Sequence, residues 1–155
     1  MTYSRFKALP RQEALTTLSD RIRNNLRVTN EVMRFCVRNN ISSYRMSSDL
    51  LPVINHPDVN IKLQDLPNSL DIFNEASRIK KTICQTGLKV TAHPSEYISL
   101  TSDNDRVIQN SITDLKAHAD LFDLVGLPRS YDAPLNIHCR KDGEPEEISS
   151  KFMTN

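Results

Sequence analysis

The chain has 155 residues, of which 38% are hydrophobic and 25% charged, and its net charge at pH 7 is +1. This composition predicts one globular domain with a core and argues against a disordered chain. No apolar stretch reaches the roughly 18 residues that span a bilayer, and the N-terminal segment lacks the apolar core of a secretory signal, so we expect a cytoplasmic protein without membrane contact. Three cysteines without CxxC spacing argue against a disulfide framework or zinc knuckle and predict reduced, mostly buried thiols.

The charges are unevenly distributed along the chain. Residues 1–45 contain nine Lys and Arg against three Asp and Glu, whereas residues 46–155 contain eleven against sixteen. A basic N-terminal third could follow a phosphate backbone. The alternative is that these arginines form the solvated face of a helix, and charge alone does not separate the two.

The first predicted helix runs from 12 to 39, where apolar residues recur mostly three and four positions apart, as on one face of an amphipathic helix. The segment "ISSYRM", 41–46, is partly β-branched and aromatic, which predicts a short strand. A loop marked by Pro52 and Pro57 follows.

The second half of the chain repeats this order of elements. A helix is predicted over 69–86, with Gly87 as its stop, and "LKVTAH", 88–93, is the next strand. The third helix can be capped by Asp103, and its apolar stripe extends to Phe122 before Gly126 and Pro128 end it. "LNIHC", 135–139, predicts a third strand, and "EEISSKF" indicates the approach to a further helix.

Three strands separated by single long helices predict an α/β fold with parallel pairing through right-handed crossovers. In the second and third strands, apolar residues alternate with polar ones, so each strand has one apolar and one polar face. Because the apolar face would pack against helices, the polar face must look into another enclosed space, such as the interior of a barrel.

Three of the four histidines follow successive predicted strands. His56 lies in the loop after the first, whereas His93 and His138 end the second and third on the same face, where ligands of parallel sheets gather. Neutral imidazoles converging there would suit Mn, Fe or Zn, and the alternative is a structural role. His118 lies mid-helix beside the apolar stripe, which predicts a buried histidine bonded to a carbonyl.

Glu96 and Tyr97 lie on the loop just beyond His93. Loops at this end of an α/β fold carry recognition groups, so Tyr97 could stack on a base or sugar, and Glu96 could bind metal or accept a hydrogen bond. The alternative is a strand extension in which Tyr97 only packs.

Four segments together resemble the ultraviolet damage endonucleases: "YRMSSDLLP", "HPSEY", "SITDLKAHADLFDLVGLP" and "LNIHC", in this order and spacing. The resemblance runs from about Arg21 to the end. It implies a TIM barrel and a metal-dependent DNA repair nuclease that recognises ultraviolet photoproducts in damaged double-stranded DNA and incises the strand on the 5′ side. It also implies a cluster of divalent ions, usually manganese, held by histidines and carboxylates.

The resemblance assigns roles to five residues of this sequence. His93, His138 and His56 fall on metal-ligand positions, and no catalytic residue is implied beyond the metal ligands. Tyr97 and Glu96 fall on two adjacent positions that probe the lesion. The family often has glutamine where Glu96 stands, and a carboxylate cannot donate the amide hydrogen bonds and would repel phosphate.

A complete barrel needs eight strands and about 250 residues. We therefore expect residues 1–155 to be a single partial TIM-barrel domain of about three parallel βα units, missing the first strand and the C-terminal strands, with a second chain or missing segment completing it. A related abasic-site endonuclease or sugar isomerase, and a non-catalytic DNA-binding or assembly module, remain as alternatives.

Overall fold

The computed structural model describes residues 1–56, 58–59, 61–95, 97–138 and 144–154. They form an α/β fold in which helices predominate. In chain order the elements are α1 Tyr3–Ala8, α2 Arg11–Arg38, β1 Ser43–Met46, a 3-10 helix Leu63–Asp65, α3 Ser69–Thr86, β2 Lys89–Ala92, α4 Asp105–Leu124 and α5 Pro145–Thr154. No helix in the described part of the chain is both long enough and apolar enough to cross a membrane.

Helices α2 and α3 form the main packing layer, and both are confirmed where the apolar periodicity predicts them. Leu18, Ile22 and Leu26 of α2 and Ile72 and Ile79 of α3 are completely buried. Burying a side chain of this size stabilises the fold by roughly 1.5–3 kcal/mol relative to leaving it exposed. Across the same interface the Thr82 hydroxyl donates to Asn30 Oδ1 at 2.7 Å.

The end of α3 follows the predicted glycine stop. Gly87 adopts a left-handed conformation with φ of 65° and donates its N–H to the Ile83 carbonyl at 3.0 Å. Residues with a Cβ rarely adopt this conformation, so glycine at this position lets the chain turn directly from α3 into β2.

Strands β1 and β2 pair in parallel, with Ser43 opposite Lys89 and Met46 opposite Ala92. Met46, Val90 and Ala92 are buried under the helical layer. The other face of the sheet carries exposed or half-buried polar groups, so the predicted division into an apolar and a polar face is confirmed for β2.

The third predicted strand is reduced to one parallel bridge between Leu135 and Ala92. Ala92 donates to the Pro134 carbonyl at 3.3 Å, and Asn136 donates to the Ala92 carbonyl at 2.9 Å. A longer parallel ladder would next require an N–H from Pro94, which has none. The expectation of three full strands is therefore corrected, in the described residues, to two strands and a bridge.

The capping of α4 differs from the sequence prediction. Asn104, not Asp103, caps the helix, because its side-chain oxygen accepts from the Arg106 N–H at 2.9 Å. Asp103 is instead 2.5 Å from the ammonium of Lys151 in α5. At the other end Gly126 is left-handed, with φ of 71°, and confirms the predicted stop.

Two features were not anticipated from the sequence. Helix α1 begins after Thr2, whose hydroxyl accepts from the Arg5 N–H at 3.4 Å, and buries Phe6. Cys36 is buried as expected, but Cys84 is exposed because it lies off the apolar stripe of α3. Cys139 lies outside the described residues.

Candidate functional site

A cleft of about 540 Å³ opens at the carboxyl ends of β1 and β2. Its walls come from the end of β1, from the segments that follow β1 and β2, and from the segment after α4 that bridges to β2. The lining residues are Arg45, Met46, Ser47, Ser48, His93, Pro94, Ser95, Tyr97 and His138. We call this the histidine cleft. Parallel strands place their carboxyl ends at one edge of the sheet, which explains why residues far apart in sequence meet here.

The imidazole rings of His93 and His138 are in edge contact inside this cleft. Their centroids are 4.6 Å apart and the ring planes meet at 61°. The bridge at Ala92 and Leu135 sets His93 opposite Asn136, and His138, two residues further along, brings its ring against that of His93. The predicted convergence of these two histidines is therefore present in the structure, and their role as metal ligands stays a prediction.

One ring nitrogen of His93 is already engaged. Its Nδ1 lies 2.7 Å from the Pro94 carbonyl oxygen, and because a carbonyl can only accept, Nδ1 must carry the proton. In the neutral ring Nε2 then has the lone pair. A histidine that donates through one nitrogen to a backbone carbonyl is the usual arrangement of a metal-binding imidazole.

The described residues nonetheless provide only part of a metal-binding site. No group of three or more His, Cys, Asp or Glu side chains that could hold an ion is found among them. The two imidazoles suit Mn, Fe or Zn, and at least one further ligand would have to come from outside this set.

Arg45 is a cleft residue that the sequence reasoning missed. It lies opposite Thr91 in the β1–β2 register, and its exposed side chain shares the polar face of the sheet with His93. The alternation of side chains along the strand could have identified Arg45 from the sequence, because alternate residues of a strand point to the same face. A guanidinium beside two imidazoles can neutralise and orient a phosphate group.

Tyr97 stands at the mouth of the histidine cleft with 82% of its surface exposed. Its backbone N–H is held by the Ser95 hydroxyl at 3.3 Å. The next residue, Ile98, is buried and anchors the loop. Within the described residues Tyr97 does not pack into the fold, and its ring is accessible for stacking. The other predicted lesion-probing residue, Glu96, lies outside the described residues.

His56 does not line the histidine cleft. Its ring stacks on Tyr3 with 3.7 Å between centroids and 10° between planes, and its Nδ1 accepts from the Asp58 N–H at 3.3 Å. The Tyr3 hydroxyl donates to Asp58 Oδ2 at 2.9 Å, and this hydrogen bond is the main reason why the pKa of Tyr3 is raised. His56 thus takes part in a separate cluster with Tyr3 and Asp58, and its assignment as a ligand stays a prediction.

His118 has the structural role that its position predicted. It is 5% exposed, and its Nδ1 donates to the Asp114 carbonyl at 2.9 Å, one helical turn earlier. Its Nε2 is buried and has no hydrogen-bond partner within the described chain. His118 is therefore set apart from the histidine cleft.

Comparison with known proteins gives one consistent family. The model of the family described as UV-endonuclease UvdE matches residues 1–155. A UV DNA damage endonuclease of Nostoc sp. is 32% identical over 151 residues, covering 96% of this chain and 45% of that protein. One from Bacillus cereus is 31% identical over 157 residues, covering 100% of this chain and 47% of that protein.

The fold is also similar to a solved one. The crystal structure of SacUVDE superposes with a TM-score of 0.80 at 24% identity, covering 99% of this chain and 48% of that chain. This likeness shows the α/β fold. The chain spans about half the length of the relatives that it matches.

Proposed function

We propose, since the chain belongs to the UV-endonuclease UvdE family, that it forms part of a DNA repair endonuclease acting on ultraviolet-damaged duplex DNA. The observation that carries the proposal is the edge contact of His93 and His138 at the carboxyl ends of the strands, beside the exposed ring of Tyr97. The substrate is a duplex containing an ultraviolet photoproduct, and the strand is incised on the 5′ side of the lesion.

Membership of this family also supports a proposal about the fold. Residues 1–155 are a partial TIM-barrel domain that lacks the first and the C-terminal strands of the barrel. A further segment or a second chain completes it. The share of about half of each relative supports this proposal, as does the polar face of β1 and β2, which a closed barrel would enclose.

His93 and His138 are the proposed ligands of a divalent ion, with Mn²⁺ as the first candidate. When bound, such an ion would supply a hydroxide at neutral pH and neutralise phosphoryl oxygens. The Pro94 carbonyl holds the His93 ring in the tautomer that leaves Nε2 free. His56 is kept as a further ligand on the resemblance alone.

Two other residues act on the DNA. The Arg45 guanidinium orients a backbone phosphate toward the histidine pair, since it lies on the same face of the sheet. Tyr97 stacks on a base or sugar exposed by the lesion, whose weakened stacking lowers the cost of insertion. Glu96 is the proposed neighbour in this probing step.

The proposal is tested by incision of irradiated plasmid with Mn²⁺, compared with intact and abasic plasmid and with the same reactions after chelation. We expect the 155-residue chain alone to nick weakly or not at all, because no group of three or more possible metal ligands comes together among its described residues. A chimera in which residues 1–155 replace the matching part of the Bacillus cereus relative should nick irradiated plasmid preferentially.

Two results would contradict the proposal. Equal nicking of intact and irradiated plasmid by the chimera would remove the lesion specificity, and preference for the abasic plasmid would favour the related abasic-site endonucleases. A folded chimera that binds DNA and never nicks it would favour the non-catalytic module.

A further inference from the structure

A second cleft, of about 570 Å³, lies between the C-terminal halves of α2 and α3. Its lining includes five basic side chains, Arg27, Arg34, Arg38, Arg78 and Lys81, and two carboxylates. We call it the basic cleft. It contains much of the excess positive charge that the first third of the sequence carries and that the histidine cleft does not use.

The two carboxylates of the basic cleft are each paired with one of its cations. Arg27 is 2.5 Å from Glu31, and Arg78 is 2.9 Å from Glu75, whose side chain is mostly buried. Within the described ranges, no carboxylate lies within ion-pair distance of Arg34, Arg38 or Lys81. These three exposed cations are therefore available to an anionic ligand.

The arginines on α2 form a row along the cleft. Arg27, Arg34 and Arg38 are seven and four residues apart, which places them on one face of the helix. With a rise of 1.5 Å per residue the row is about 16 Å long. Because Arg27 is paired with Glu31, the unpaired part of the row runs from Arg34 to Arg38 over about 6 Å, which matches about two phosphates of one DNA strand at about 3.4 Å per charge along the helix axis.

Packing between α2 and α3 fixes the shape of the basic cleft. In its lining, Thr82 on α3 donates to Asn30 on α2, and buried apolar side chains hold the two helices in place. The ligand groups of the cleft would therefore be positioned before binding, which lowers the entropy that an anion must lose there.

The basic cleft and the histidine cleft lie at opposite ends of the sheet. Helix α2 leads into the amino end of β1 and α3 leads into the amino end of β2, so the C-terminal halves of both helices lie near those ends. His93 and His138 lie at the carboxyl ends. The basic cleft is therefore separate from the candidate metal site.

We propose that the basic cleft binds the phosphodiester backbone of DNA, without reading sequence or damage, as a second contact of the protein with DNA. The proposal rests on the proposed function for the identity of the polymer. Four of the five cations are arginines, whose planar forks suit phosphate oxygens. An acidic peptide would need apolar anchors, and among the lining residues of the basic cleft only Val37 is apolar.

The test measures binding of the full 155-residue chain to a short, undamaged, fluorescently labelled duplex by anisotropy over a range of salt concentrations. The cleft variant combines Arg34→Gln, Arg38→Gln and Lys81→Gln. The matched control combines Lys7→Gln, Lys62→Gln and Lys116→Gln, which are exposed, lie outside both clefts and change the net charge equally. Circular dichroism checks that both variants are folded.

We expect the cleft variant to lose about tenfold or more in affinity at low salt, with the slope of log K against log salt reduced by about 2 to 3. The control should change the slope by less than about 1. Because the duplex is undamaged and no metal is added, this result does not depend on the histidine cleft.

Three outcomes would overturn the proposal. The cleft variant could match the control, the original chain could fail to bind duplex, or polyglutamate could bind the cleft where duplex does not, which would indicate an acidic protein partner. Failure of the chimera to incise irradiated plasmid, with cleft-dependent duplex binding intact, would reject the endonuclease function and leave this proposal standing.

Discussion

The helical layer of α2 and α3 and the histidine cleft are built on opposite principles. The helical layer buries Leu18, Ile22, Ile72 and Ile79 completely, and the polar groups Asn30 and Thr82 within it bond to each other. The histidine cleft leaves His138, Arg45 and Tyr97 exposed. The layer supplies stability, while the cleft exposes polar and aromatic side chains that a ligand can reach.

This difference predicts where a substitution should lower stability and where it should alter binding. Large-to-small changes in the layer create cavities, because packed side chains cannot relax fully into the gap. Changes at the cleft remove groups that already face solvent, so they should alter binding and not folding. The following predictions, from the largest effect to the smallest, test whether the helical layer determines stability and the histidine cleft determines binding.

Leu26→Ala should have the largest effect on stability, since the side chain is completely buried in α2. We expect the free energy of unfolding to fall by about 2–5 kcal/mol. Urea denaturation followed by circular dichroism measures the loss. The matched control is Val28→Ala on the exposed face of the same helix, which should change stability far less; similar losses for both variants would mean that α2 is not packed as described.

His93→Ala and His138→Ala should each weaken Mn²⁺ binding by at least about tenfold, since loss of an outer-shell partner alone costs about 10–100-fold. Stability should change little. Electron paramagnetic resonance of free Mn²⁺ measures the affinity. His56→Ala tests the third proposed ligand, and an unchanged Mn²⁺ affinity in this variant would assign His56 to its separate cluster with Tyr3 alone. Unchanged Mn²⁺ affinity in both cleft variants would reject the histidine pair as ligands.

His118→Ala should lower the stability of the fold and not its affinity for Mn²⁺. It removes a buried ring from α4, in which Leu121 and Phe122 are also buried, so we expect a loss of about 1–3 kcal/mol in the free energy of unfolding. Mn²⁺ affinity should stay the same. If His118→Ala weakened Mn²⁺ binding without destabilising the fold, the histidines would not divide into structural and cleft residues as described.

Tyr97→Ala should have the smallest effect on the isolated chain, because 82% of the residue is exposed. In the active chimera it should lower the preference for irradiated over intact DNA by roughly tenfold, in line with a stacking energy of about 1–3 kcal/mol per base. Tyr97→Phe is the control and should retain the preference. A preference that survives Tyr97→Ala would exclude Tyr97 as a probe of the lesion.

Much of the fold was predictable from local patterns. The apolar spacing located α2, α3 and α4 to within a few residues, and Gly87 and Gly126 marked two of their ends correctly. Strand parity anticipated that His93 and His138 would lie side by side. The cap of α4 was assigned to Asp103 in place of Asn104, since two neighbouring polar residues are equally good candidates until the backbone angles are known.

Three features depended on contacts between residues distant in sequence: the length of the third strand, the position of His56 and the arrangement of the two clefts. The tertiary structure alone decided them. Pro94 limits the third strand to a single bridge at Leu135, because register determines which N–H the ladder needs. His56 stacks on Tyr3, a residue 53 positions earlier, in a contact that no local pattern encodes. The sequence by itself determined the periodic elements and the family, since both are properties of order along the chain. The arrangement of the two clefts follows from packing in three dimensions.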